Sequence, residues 1–215
     1  MKVKYLFCAL AFASVFMGLT ACGDDDEPQP DSPAEEAKAQ PGVIAGDDGS
    51  YTLYRKTNYG DDWIYVSLST MDTVAVSEEN HKESLDWDIA FNRYNVRTNS
   101  GTSGNGKGGV YKTSATKFAD VKDFPAADEF TVDTEWEITK TPTMSADGVI
   151  TMTSSANPIL SEAITIIIRN GPPDYNISEN VYLVRSADGS KIYKFKTVSF
   201  FNAKGNSGYY NFMVE

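Results

Sequence analysis

The sequence predicts an all-β fold, a single antiparallel domain of about a dozen strands. From Tyr51 onward, short β-branched and aromatic runs recur, each bounded by Gly, Asn, Asp or Ser, which is how strands and their turns are written. No stretch shows a convincing 3.6-residue apolar spacing, so no helix is expected. Within 191–201, Ile192, Lys194, Lys196 and Val198 alternate with Tyr193, Phe195 and Thr197, the pattern of an antiparallel sheet with one solvated face.

In chain order, the expected strands are 63–68, 73–76, 87–94, 149–153, 163–169, 181–185, 191–201 and 209–214. The run Ile164-Thr165-Ile166-Ile167-Ile168 is the most apolar after the N-terminal segment and is expected to be a central, covered strand. Asp147-Gly148 and Asp188-Gly189 are natural hairpin turns. The segment Gly101-Thr102-Ser103-Gly104-Asn105-Gly106-Lys107-Gly108-Gly109 lacks the Gly-Lys-Ser/Thr ending of a phosphate loop, and no helix follows to supply a positive N-terminus. It reads as a long flexible loop between strands.

The N-terminus is organised differently. Lys2 and Lys4 precede an apolar run that closes at Leu19-Thr20-Ala21-Cys22-Gly23. This reads as a signal peptide over 1–21 rather than a membrane span, ending in a bacterial lipobox that makes Cys22 the lipidated residue. Residues 22–42 form an acidic, Pro- and Ala-rich tether in which Asp24, Asp25, Asp26, Glu27, Asp31, Glu35 and Glu36 outnumber Lys38. Such a stretch buries too little apolar surface to fold. Acidic residues directly after the cysteine look like the signal that sends Bacteroidetes lipoproteins to the outer face of the outer membrane. The expected address is therefore the cell surface, held through the lipid anchor or released from it, with 43–215 as the folded domain. Acyl chains contribute roughly 0.8 kcal/mol per buried methylene, so an acylated cysteine needs no spanning helix to hold a membrane.

The net charge of −11 argues against nucleic acid as a partner, because phosphate binding needs a basic face. Arg93, Arg97, Lys107 and Arg169 are the candidates for a local anion site. Catalytic chemistry is poorly provided for: the one histidine, His81, sits in a polar, turn-like stretch and is expected at the surface. No His and Cys cluster has zinc spacing, and the carboxylates are scattered, which reads as solvated surface charge. The protein is therefore not expected to be an enzyme. A carboxylate-based hydrolase is the enzymatic alternative, since such pairs meet only in the fold.

A specific resemblance begins at Leu85-Asp86-Trp87-Asp88-Ile89-Ala90-Phe91-Asn92-Arg93-Tyr94-Asn95-Val96-Arg97-Thr98-Asn99, followed by Gly101, Ser103-Gly104, Gly106 and Lys107-Gly108-Gly109. With Asp62-Trp63-Ile64-Tyr65-Val66-Ser67-Leu68, Asn170-Gly171-Pro172 and 181–189, this resembles the HmuY family of haem-binding Bacteroidetes lipoproteins. The resemblance implies an HmuY-like β domain that captures haem, iron protoporphyrin IX, in a pocket at one end. It further implies transfer to an outer-membrane TonB-dependent haem receptor, and no reaction catalysed. Iron in that family is held by two axial side chains, histidines in some members and methionines in others.

This sequence departs from the histidine pattern. Where one family histidine follows the Asp147-Gly148 turn stands Val149, and where the other precedes Gly171-Pro172 stands Asn170. Methionine substitutes chemically, because its thioether is a soft neutral donor that favours ferrous haem. Met144, just before the turn, is the first candidate iron ligand and Met152 the second. Asn170 and Tyr175 are candidates to line the pocket, and Arg169 or Lys140 to face a haem propionate. The competing reading is an HmuY-like binding module that has lost haem ligation and takes another ligand or partner.

Overall fold

The computed structural model describes residues 42–54, 63–142, 149–167 and 173–215. The expected signal peptide, Cys22 and the tether up to residue 41 lie outside them, as do Met144, Arg169, Asn170 and the Asp147-Gly148 turn. Among the described residues there are fourteen strands: β1 Gly42–Ala45, β2 Ser50–Tyr54, β3 Ile64–Ser67, β4 Asp72–Val74, β5 Ile89–Asn92, β6 Asn95–Thr98, β7 Gly109–Lys112, β8 Thr134–Pro142, β9 Val149–Ala156, β10 Ile164–Ile167, β11 Asp174–Ile177, β12 Tyr182–Arg185, β13 Ile192–Phe201 and β14 Ser207–Val214. Helical structure is confined to three single 3-10 turns, and no described helix is long and apolar enough to cross a membrane. The all-β expectation holds.

The strands form a six-stranded sheet in the order β1-β2-β14-β13-β12-β7, a four-stranded sheet β4-β3-β5-β6, and the two hairpins β8-β9 and β10-β11, all antiparallel. Alternation explains how the layers stack. In β3, Ile64 and Val66 join Phe91, Val96, Phe195 and Phe212 in the main core between the two large sheets, while Tyr65 points to the other face. That other face carries Tyr65, Trp87 and Ala90, and the β8-β9 hairpin covers it with Ile138, Ala156 and Met152. The far face of the six-stranded sheet is covered at its β7-β12 end by Phe118, Val121 and Phe130 from the connection between β7 and β8. Full burial of a large apolar side chain contributes about 1.5–3 kcal/mol, so the aromatic-rich main core sustains the domain without any disulfide among the described residues.

Four expectations are corrected. The stretch 87–94 is not one strand: the chain turns at Arg93, whose φ is 58°, and returns as β6 with Asn92 opposite Asn95. The turn carries no glycine to announce it, and a left-handed arginine is uncommon. The isoleucine run is not central either. Among the described residues β10 pairs only with the short β11, Ile164 and Ile166 pack on the core, and Ile167 is 40% exposed.

The glycine-rich segment is not loose; it wraps around Asn99. A Cβ added to Gly104, Gly106 or Gly108 would come within 2.1, 2.5 or 2.7 Å of Asn99 atoms, so only glycine permits that approach. The Asn99 amide donates to the carbonyls of Ser84 and Trp87 at 2.8 and 2.9 Å, and its oxygen accepts from the Gly106 N–H at 3.0 Å.

Nor are all the carboxylates solvated. Asp133, 1% exposed, accepts from the Thr98 N–H at 2.8 Å and from the Asn157 amide at 3.0 Å. Burial pushes its carboxyl above the ordinary range, opposed by these donors. Asp88, also buried, accepts from the Leu68 N–H and the Ala187 N–H, each at 2.8 Å. It thereby ties the end of β3 to the turn after β12, joining the two large sheets.

Replacing Asp88 with Ala strands two buried N–H groups, each costing about 1–3 kcal/mol. Asp88→Ala is expected to lower unfolding stability by roughly 3 kcal/mol, read from the urea midpoint at unchanged slope. A loss below about 0.5 kcal/mol would mean that water or a local shift satisfies both donors.

Candidate functional site

The two hairpins that stand apart from the large sheets define a cleft. β8-β9 is the longer, with Pro142 opposite Val149, and residues 143–148 close it. β10-β11 is the shorter, with Ile167 opposite Asp174, and residues 168–172 close it beyond the described Ile167. Between them lies a cavity of about 230 Å³ lined by Tyr94, Trp136, Glu137, Thr151, Ile164 and Ile166, with Asn95, Ser161, Glu162 and Thr165. Trp136 remains 36% exposed.

The walls are held from behind. Tyr94 sits 5.5 Å from Phe200 in an edge-on contact and 6.1 Å from Tyr175. Tyr175 lies in β11 opposite Ile166, its ring 4.9 Å from Phe200 and 5.5 Å from Phe201. Such aromatic pairs contribute about 0.5–1.5 kcal/mol beyond burial, so they fix the short hairpin against β13.

The long hairpin is fastened by Arg97. Its Nε donates to the Ser155 carbonyl at 2.8 Å, one terminal nitrogen to Glu78 Oε1 at 2.8 Å and to the Tyr65 hydroxyl at 3.1 Å, and the other to the Ser154 hydroxyl at 3.2 Å. The guanidinium also stands 3.9 Å from the Trp63 ring centroid. Arg97 is only 4% exposed, so the expectation that it helps form an anion site is corrected: its donors are committed to structure. Burial and the bond to Glu78 raise the pKa of Tyr65, keeping it a neutral member of this network.

His81 is likewise not at the surface. It is 4% exposed, its ring 5.4 Å from that of Tyr65 and 6.2 Å from that of Trp87, and its carbonyl accepts from the Trp87 indole at 2.8 Å. Its Nδ1 meets the Glu78 carbonyl at 2.5 Å while Nε2 is buried without a partner. The neutral tautomer with hydrogen on Nδ1 fits both facts, and burial lowers its pKa. The polar stretch 77–83 hid this, because a turn can fold one ring inward while its neighbours remain solvated.

Of the residues singled out for the pocket, Tyr175 backs the cleft through the aromatic cluster just described. Met152 lies in β9 opposite Ile138, half-buried against the Trp63, Tyr65 and Trp87 cluster, while its neighbour Thr151 lines the cleft. Met144, Arg169 and Asn170 lie outside the described residues, within the segments that close the two hairpins. Sequence reasoning missed Trp136, Tyr94 and the Arg97 network. An arginine alternating with Val96 and Thr98 inside a strand is the signal for the last of these, since a charge there must be paired.

Residues 59–213 match the family model described as HmuY protein. The chain belongs to the HmuY family. A crystal structure of a protein from Bacteroides vulgatus, described as HmuY-like and haem-binding, is 30% identical, with a TM-score of 0.56 over 80% of this chain and 96% of that one. A Bacteroides fragilis protein described as a lipoprotein is 28% identical, with a TM-score of 0.56 over 79% and 90% of the two chains. The apo form of the Tannerella forsythia HmuY analogue is 25% identical, with a TM-score of 0.55 over 77% and 94%. No curated protein is matched. HmuY proteins are binding proteins rather than enzymes, so the family and its haem-binding neighbours support a haem-binding type of protein.

Because folding lowers the pKa of His81, the unfolded chain takes up a proton that the folded chain refuses as pH falls through roughly 6.5. This histidine's contribution to stability is thus full above that pH and is lost below it. Unfolding in urea at pH 7.5 and 5.5 is expected to show a smaller drop for His81→Gln than for the natural chain. Equal drops would place a protonated His81 comfortably inside the fold.

Proposed function

We propose that this protein binds haem in the cleft between the β8-β9 and β10-β11 hairpins, as a surface lipoprotein anchored through Cys22. The observation that carries the reading is the position of the cleft. Its apolar and aromatic walls stand between two hairpins closed by the segments that resemble the family's ligand positions. A flat porphyrin needs such walls and a few placed polar groups. Tyr94, Trp136, Ile164 and Ile166 supply the first. Glu137 and Glu162 do not suit a propionate, so Arg169 and Lys140 are the groups proposed to meet the propionates, with Asn170 lining that side.

Haem supplies an iron centre that takes axial donors from the protein. Met144 is the donor proposed first, since it belongs to the segment closing the long hairpin. Met152 is the second; its packing on the indole and phenol rings means that it must leave that cluster to reach iron. Thioether donation raises the haem potential, so binding is stronger for ferrous than for ferric haem. Delivery of the cargo to an outer-membrane TonB-dependent receptor is the task that goes with this reading. The position of Met152, together with Asn170 and Val149 at the histidine positions, favours one second reading: a binding module whose cleft takes another ligand.

Titration of the chain from residue 22 onward, carrying Cys22→Ser, with haem in air and in dithionite separates the two. A sharp low-spin ferrous Soret band that is lost in Met144→Ala, or in Met144→Ala with Met152→Ala, is the expected result. A broad band indifferent to oxidation state and to both substitutions would sink haem ligation and leave the second reading.

A further inference from the structure

A different cavity, of about 540 Å³, shares no lining residue with the cleft. It lies at the other end of β5: Asp88, just before that strand, is in its wall, whereas Tyr94 and Asn95, just after it, line the cleft. Three turns build it, the one after β3, the segment leading into β5 and the one between β12 and β13. These turns are fixed to one another, because the Asp88 carboxylate accepts the Leu68 and Ala187 N–H groups and the Lys107 N–H donates to the Ala187 carbonyl at 2.7 Å. A volume of this size on a pre-formed frame is what small-molecule sites require, about 300–1,000 Å³.

The lining decides the class of ligand. Hydroxyls from Ser67, Ser69, Thr70 and Ser190 surround it, and each both donates and accepts. Charges of both signs are present: Asp86, Asp88 and Asp188 face a space that Lys191 also lines. Three carboxylates against one ammonium oppose a phosphate or a haem propionate. A neutral ligand with many hydroxyl groups meets no like charge.

Much of the lining is already spent on structure. Ser67 and Ser69 bond each other at 3.0 Å, and the Asp188 carboxylate accepts from the Ser186 hydroxyl at 2.6 Å and from Ser190 N–H at 2.9 Å. These donors hold Asp188 down at about 2, ionised throughout the physiological range. By contrast the side chains of Thr70, Tyr193 and Lys191 make no hydrogen bond among the described residues. Tyr193 adds a half-buried ring, and Leu85 adds an apolar side chain that is 53% exposed. Sugars present C–H faces beside their hydroxyls, and an apolar surface next to unspent donors and acceptors complements both.

We infer that this cavity binds a neutral saccharide, with Tyr193 and Leu85 taking its C–H face and Asp86, Thr70 and Lys191 its hydroxyls. This goes beyond haem binding and does not depend on it. The chain from residue 22 onward with Cys22→Ser is titrated with glucose, galactose, mannose, N-acetylglucosamine, maltose, lactose and cellobiose, using saturation-transfer NMR and calorimetry. Spermidine and glucose 6-phosphate serve as charged controls. At least one neutral sugar is expected to bind and to weaken tenfold or more in Asp86→Ala and in Tyr193→Ala. Both variants should keep the natural chain's response to haem, whatever that response is, because the two cavities share no residue. No binding of any neutral sugar up to ~10 mM, a weak-binding limit of roughly −3 kcal/mol, overturns the inference. Preference for either charged control, or sugar binding that survives both substitutions, overturns it equally.

Discussion

Two buried polar side chains, Asp88 and Asn99, set the terms for everything else in this fold. A carboxylate taken out of water is tolerated only when its oxygens are occupied, and Asp88 meets that condition by accepting one N–H from each large sheet's periphery. Asn99 does the same for an amide, spending both its hydrogens on Ser84 and Trp87 and its oxygen on Gly106. Between them sits Trp87, fully buried. The two sheets thus gain a defined relative placement that apolar packing alone, being non-directional, does not specify.

From that junction the placement propagates to the cleft. The carbonyl of His81 takes the Trp87 indole N–H, the His81 and Tyr65 rings pack around Trp87, and Tyr65 and Glu78 receive Arg97, which reaches across to Ser154 and Ser155 of the long hairpin. Each link is a directed contact between named atoms. A change at the junction is therefore felt in how the hairpin lies, even though no junction residue lines the cleft.

Much of the fold was legible in the sequence, because strands declare themselves by alternation. In β13 the buried set Phe195 and Thr197 and the exposed Val198 fall where the pattern of apolar and polar residues puts them. What was not legible depended on partners distant in the chain. The β5-β6 turn uses Asn-Arg-Tyr-Asn with no glycine, so 87–94 reads as one strand. The isoleucines of β10 read as a central strand because hydrophobicity does not reveal that β11 is its one neighbour among the described strands. Asp88 and Asp133 read as surface charge because their compensating groups, the Ala187 N–H and the Asn157 amide among them, are assembled only by folding.

The site was less legible than the fold for a related reason. The residues that carry the family resemblance, Trp87, Asp88, Asn99 and the glycines behind them, are the residues that build the junction. Their chemistry is fully used there: the Asp88 oxygens, the Asn99 amide and the Trp87 indole all have partners inside the protein. A motif so occupied identifies the fold and has nothing left to offer a ligand. The groups proposed to meet a ligand lie on other residues, in the hairpin-closing segments and cavity walls, where side chains such as Trp136, Thr70 and Lys191 are not consumed by packing. Family membership and ligand identity are in that sense separate statements about this chain. The first rests on groups spent on holding the fold, the second, as proposed, on groups outside that junction.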